Sequence, residues 1–194
     1  MRIIEQIYRE LLYQAIEKKR HTFTQLELSK NLRISISVVN YALRPLRAMG
    51  AIAVLARGFK VTDIEKILYY WANIRNLQRD IIYSTRVELP VSEIEKLLPS
   101  NTVFAAYSAY KFAFKDVPAD YSEVYVYSRD ISEIKKRFPA SRNPPNLFVL
   151  NADKNIQKYG SVTTIGQTFA DLWNIKEWYA KDFLKALEAK IHGH

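Results

Sequence analysis

Thr22-Phe-Thr-Gln-Leu-Glu-Leu-Ser-Lys-Asn-Leu-Arg-Ile-Ser-Ile-Ser-Val-Val-Asn-Tyr-Ala-Leu-Arg-Pro-Leu-Arg-Ala-Met-Gly-Ala-Ile52 is the stretch on which the reading of this chain turns. Thr24 with Glu27 three residues later forms a capping box, so a short helix starts at Gln25 with Leu28 and Leu32 on its apolar face. Ser35 is a good cap for a second helix and Ile34 its staple residue, which ends the first helix near Arg33. At about 100° per residue from Ile36, the side chains Val39, Ala42, Leu43, Leu46 and Met49 fall between roughly 220° and 340°. Ile36, Ser37, Asn40, Tyr41, Arg44 and Arg47 fall between roughly 0° and 140°. The first set is a core face; the second carries hydroxyls, an amide and two guanidinium groups. Pro45 removes the hydrogen bond to the Tyr41 carbonyl and predicts a kink or an early end.

Gly50 closes the second helix. Residues 52–55 and 59–61 are β-prone around Ala56-Arg57-Gly58, which predicts a small hairpin with a basic tip. Cap, apolar pair, turn, cap, core stripe, glycine and hairpin, in that order, resemble a winged helix-turn-helix domain, here spanning residues 1–62. The resemblance implies double-stranded DNA as partner, read by a homodimer. Ser37, Asn40, Tyr41 and Arg44 would face base edges, Asn pairing with adenine and Arg with guanine. Arg47 would lie nearer the backbone, Arg57 and Lys60 would hold phosphate, and Ser35 joins the set at the helix entrance.

Charge points the same way. The net charge is +9 over 194 residues, and residues 1–62 hold eleven Lys/Arg against four Asp/Glu. Residues 63–80 hold three of each, and residues 81–194 fifteen against thirteen. The basic excess therefore lies in the segment that reads as helix-turn-helix, where phosphate neutralisation is its simplest use. Residues 81–194 are too nearly balanced to make an obvious second nucleic-acid surface. No cysteine is present, which removes disulfides and thiolate metal sites and fits a cytoplasmic protein. Glu5 and Glu10 interrupt the first apolar pattern, unlike a secretory signal. The longest apolar run, 51–56, is too short to cross a bilayer, so no membrane partner is expected.

Outward from the opening stretch, apolar spacing predicts a first helix over 3–19. Thr62 or Asp63 caps a helix running to about Leu77, and residues 63–80 read as a packed connector whose Tyr69, Tyr70 and Trp71 offer a dimer surface. Residues 81–194 read as a second domain. Strands are expected over 81–87, 121–127 and 146–150, with another at 160–164. Helices are expected after the Ser92–Glu95 box, over 102–114, after Asp130, and over 166–172 and 175–191. The last carries Trp178, Phe183, Leu187 and Ile191 on one stripe. Strands and helices interleave, so the whole is α+β: a winged head, a connector helix and a mixed α/β domain.

Chemistry is sparse. Phosphate-loop glycine patterns and a nucleophile elbow are missing, and three histidines build no metal site. One arrangement, Ser108 to Tyr127, approaches nucleotidyltransferases, which place a Gly-Ser turn before a strand with two alternate carboxylates. Here the strand reads Glu123-Val124-Tyr125, so a tyrosine stands for the second carboxylate, and the glycine is missing. Asp116 and Asp120 lie outside the strand. A winged head followed by such a degenerate nucleotidyltransferase-like domain resembles the AbiEi family of antitoxins and transcriptional regulators. The resemblance is carried by residues 22–52, by Thr102-Val-Phe-Ala-Ala-Tyr-Ser-Ala-Tyr110, by 123–127 and by Val162-Thr-Thr-Ile-Gly-Gln-Thr-Phe-Ala-Asp-Leu-Trp173. It implies operator binding with autoregulation and, in some members, neutralisation of a partner toxin, for which the second domain would carry the site. With a tyrosine in the place of the second carboxylate, no catalysis and no cofactor are expected. The competing expectation is a nucleotidyltransferase or nuclease whose winged domain delivers nucleic acid.

Overall fold

Local chemistry builds the first third much as its caps and apolar stripes require. The computed structural model describes residues 1–193. Helix α1 spans Ile3–Leu12 and continues through a π-helical turn at Tyr13–Glu17, short of the expected Lys19. Strand β1, Thr22–Phe23, precedes α2, Gln25–Leu32, whose Thr24 hydroxyl accepts the Glu27 N–H at 3.1 Å. Arg33 takes a left-handed conformation (φ 54°), and the Ser35 hydroxyl accepts the Val38 N–H to open α3, Ile36–Ala48.

No early end occurs at Pro45: α3 runs on to Ala48. Its four deepest side chains, Val39, Ala42, Leu43 and Leu46, are fully buried and hold it in place. It stops in a Schellman turn, with Ala51 N–H on the Leu46 carbonyl (2.8 Å), Gly50 N–H on that of Arg47 (3.0 Å) and Gly50 at φ 72°. Strands β2, Ile52–Leu55, and β3, Gly58–Val61, form the hairpin, and β1 completes a three-stranded antiparallel sheet in the order β1-β3-β2. Gly58 sits at φ 101°, and a Cβ there would lie 2.2 Å from the Phe23 carbonyl oxygen, so only glycine lets the hairpin close against β1.

Asp63 caps α4, Ile64–Ile74, which ends before Leu77; a 3₁₀ turn follows at Leu77–Asp80. Strands β4 (Ile81–Thr85), β5 (Val103–Ala105), β6 (Val124–Ser128) and β7 (Leu147–Asn151) make a second sheet, ordered β4-β7-β6-β5. Only β6 and β7 run parallel. Residues 102–105 are thus not helical. β5 pairs with β6, and helix α6, Ala106–Phe114, begins only after it. Val124 and Val126 face one buried cluster, Tyr125 and Tyr127 another, so β6 is covered on both faces.

On the valine side lie α5, Val91–Leu97, and α7, Ser132–Arg137. Pro90, and not Ser92, stands at the cap of α5, and Glu95 leaves the expected capping box for a buried site. On the tyrosine side lie α6, α8 (Ile165–Trp173) and α9 (Ala180–His192). Trp178 precedes α9 and is 74% exposed, so it leaves the stripe that buries Phe183 and Leu187.

Helix α8 is buried all round from Gly166 to Leu172 and packs against α1 and α4 as well as α6 and α9. One continuous core consequently runs from Ile7 through Trp71 to Leu187. Arg75, just past α4, ties the same parts together. It donates to Asp171 (2.9 Å), Glu5 (3.0 Å), Asp80 (2.6 Å) and the Tyr127 hydroxyl (2.7 Å). Burial opposes its charge, but the oxygens of Tyr127, Asp171, Glu5 and Asp80 outweigh that and hold the guanidinium protonated. Among the described residues no helix is long and apolar enough to cross a membrane.

Candidate nucleic-acid interface

The angular sorting of α3 holds side chain by side chain. Ile36, Ser37, Tyr41 and Arg44 are exposed, Tyr41 to 60%, while Val39, Ala42, Leu43 and Leu46 are buried and Met49, at the helix end, is partly buried. Ser35 and Ser37 bring their hydroxyls within 3.1 Å of each other at the helix entrance. Arg44 lies over the Tyr41 ring, 5.9 Å from its centroid, a contact that steadies a long exposed cation.

Asn40 and Arg47 are only half-exposed because they bond each other. The Arg47 guanidinium donates to both the side-chain and the backbone carbonyl of Asn40. The Asn40 amide is thereby held by its oxygen, with its NH₂ left to donate outward. This pairing spans seven residues on one stripe, and that spacing was its sole sequence signal. The hairpin places Arg57 at its exposed tip and Lys60 on β3, exposed and in register with Thr22 and Ala53. All eight candidates thus lie within the capped helices and the hairpin; six are exposed, and Asn40 and Arg47 are half-buried.

Beside the first turn of α3 opens a cleft of about 820 Å³. Its far wall, residues 152–155, follows β7 in the second half of the chain. Asn155 bridges the two walls, donating to the Gln6 side chain (3.0 Å) and to the Leu32 carbonyl (3.1 Å). Behind it, fully buried Arg9 grips Asp153 through two bonds of 2.8 and 2.7 Å. Burial alone would raise the Asp153 carboxyl, but Arg9 outweighs it and holds the group below the usual range. Neither the cleft nor its lysine, Lys154, is legible in the sequence, because fifteen cations against thirteen acids over 81–194 hide a local excess.

The second arrangement, around Ser108, is occupied by its own neighbours. The Ser108 hydroxyl donates to Glu95 (2.7 Å), which also accepts from Lys111 (2.6 Å) and Tyr121 (2.8 Å). Glu123 precedes β6 and accepts the Tyr179 hydroxyl. Tyr125 is buried, and burial pushes its phenol well above the ordinary value, so it stays neutral. Among the described residues no group of three or more His, Cys, Asp or Glu is placed to hold a metal ion. Ala106, two residues before Ser108, adopts a left-handed φ of 49° where glycine would be unstrained.

Comparison with protein-family models, with curated proteins and with solved structures finds no match for this chain.

Proposed function

We propose that this chain is a sequence-specific DNA-binding transcriptional regulator, with residues 1–62 acting as a winged helix-turn-helix head. The observation that carries the reading is the outer face of α3, where Ser37, Asn40, Tyr41 and Arg44 stand clear of the core on a helix capped at both ends. A helix so presented fits the major groove, about 12 Å wide, where amide and guanidinium groups pair with adenine and guanine edges. Arg57 and Lys60 on the hairpin supply the phosphate contacts that fix its register. Two-fold operators reward a homodimer. Two apolar surfaces offer a dimer contact, the connector with Tyr69, Tyr70 and Trp71 and the last helix with Trp178 and Phe183. They narrow, since Trp71 and Phe183 are buried in the core and Trp178 remains outside.

The second half is read as non-catalytic and nucleotidyltransferase-like. The left-handed turn at Ala106 ahead of Ser108 supports the likeness, and the neutral Tyr125 with the Tyr179-bound Glu123 supports the loss of chemistry. On the resemblance to AbiEi proteins, this half would carry the site for a toxin protein, and the chain would repress its own operon.

Selection of bound sites from random duplex, followed by anisotropy titrations at several salt concentrations, tests the reading. An enriched motif is expected. Arg44→Ala should weaken binding to it by about 1–3 kcal/mol and relax preference at one base position. Lys60→Ala should weaken all duplexes alike and flatten the salt slope by about 0.9. An unenriched pool, or two variants that behave identically on selected and random duplex, sinks the assignment.

A further inference from the structure

The cleft beside α3 joins two parts of the chain that the charge pattern keeps apart. One wall is the turn 31–35 between α2 and α3; the other is the loop 152–155 after β7. Asn155 fastens one wall to the other, so their separation is set by the fold. Val38, which also lines the cleft, falls at roughly 200° on the α3 wheel, next to Tyr41 at roughly 140°. The cleft therefore opens along the edge of the face that presents Ser37, Tyr41 and Arg44.

Its rim is cationic. Arg33 and Lys154 are exposed on opposite walls. Exposed Arg129 adds a third cation at the same loop, donating to the Asp153 carbonyl at 3.1 Å. The single acid in the lining, Asp153, has both carboxylate oxygens bonded to Arg9, which cancels its charge. The neighbouring acid, Asp130, is turned onto the Ser132 hydroxyl and N–H. Arg33 takes its left-handed backbone in the turn that ends α2, where the Ile34 N–H donates to the Ser29 carbonyl at 3.1 Å and so fixes the backbone that carries the guanidinium.

We propose that this cleft seats a segment of the DNA sugar-phosphate backbone next to the bases read by α3, with Arg33 and Lys154 closing on a phosphate from its two sides. The inference rests on the reading of α3 as the base-reading helix, and it makes the second half of the chain part of the DNA footprint. A phosphate monoanion suits the donors on offer, a guanidinium fork, a compact ammonium and the backbone N–H groups of Ile36 and Ser37, the Val38 N–H being held by Ser35. The apolar remainder of the lining, Ile34, Val38 and Ala152 among it, suits a deoxyribose.

The experiment uses the full chain, a duplex carrying the selected motif and a random duplex of the same length. Affinity is followed against salt, and backbone protection is mapped by hydroxyl-radical cleavage. Lys154→Ala should lower the slope of log affinity against log salt by about 0.9 on both duplexes and remove protection at one backbone segment flanking the motif. Arg33→Gln, from the opposite wall, should lose protection at the same segment. Lys181→Ala, on α9 where it packs with α6 and α8, controls for net charge and should leave slope and footprint unchanged. Unaltered slope and footprint in Lys154→Ala, with Arg44→Ala still losing selectivity, overturns the cleft and spares the α3 reading. Equal loss in Lys181→Ala also overturns it, as does wild-type protein that shows no salt-dependent binding, which removes both readings together.

Discussion

Asp153 holds a buried guanidinium from a loop, and its titration should be visible in the stability of the protein. Its carboxyl is depressed in the folded state, so it contributes stability that is present above the unfolded value, about 4, and lost as pH falls through the lower folded value. Glu10 acts with the same sign. Burial would raise it, but Lys158, Tyr159 and Gln14 bring it below its ordinary value. Asp171 opposes them, since burial raises it despite Arg75, and its ionisation disfavours the folded state as pH rises. Wild-type stability, measured by urea unfolding, is expected to fall from pH 5 towards pH 3. Asp153→Asn should flatten that fall and lower stability at pH 7 by about 3 kcal/mol, because Arg9 is left buried with half its partner. An unchanged acid limb in the variant would refute the role. Such pairs were not legible in the sequence: Arg9 and Asp153 lie 144 residues apart, and no local spacing connects them. The outward face of α3 was legible, because helical periodicity assigns each side chain an angle without reference to the rest of the chain.

Among the elements, α3 shows where local rules yield to packing. Pro45 lacks the N–H that would bond the Tyr41 carbonyl, yet the helix persists to Ala48. The buried stripe and the Schellman end hold the remaining turns without that bond. Pro45→Ala is therefore expected to stabilise the protein by roughly 1–3 kcal/mol, read as a shift in the urea midpoint at constant slope. A destabilised variant would mean that the proline ring contributes packing that outweighs the missing bond. The caps at Thr24, Ser35 and Asp63 were readable because each acts within three residues. Where pairing partners lie far away, local rules mislead. Residues 102–105 look helical by their alanines but join β6, and Glu95 looks like a capping residue but serves Ser108, Lys111 and Tyr121.

At the scale of the whole molecule, the division into residues 1–62, 63–80 and 81–194 meets a core that runs through all three. Gly166 in α8 is part of the seam, since a Cβ there would stand 2.9 Å from Leu12 side-chain atoms of α1. Arg75 adds a polar lock from the α4 end to Glu5, Tyr127 and Asp171. Unfolding is accordingly expected to be one transition, with far-UV circular dichroism and tryptophan emission changing together. Two separated transitions would show that residues 1–62 melt as an independent unit. Apolar patterning announced the α+β character and the helix-rich head. That the head and the second half share a core was not readable, because amphipathic stripes state what is buried and not what buries it.

The placement of α8 bears on how the protein is born. A ribosome releases the residues of α1, α3 and the hairpin early, but the helix against which α1 and α4 pack emerges only after about nine-tenths of the chain, at Ile165–Trp173. Until then the nascent head has an uncovered apolar side, and Arg75 lacks its Asp171 partner. A message cut short before that helix would yield a chain unable to mature, so any binding to an operator would be withheld from incomplete products of translation.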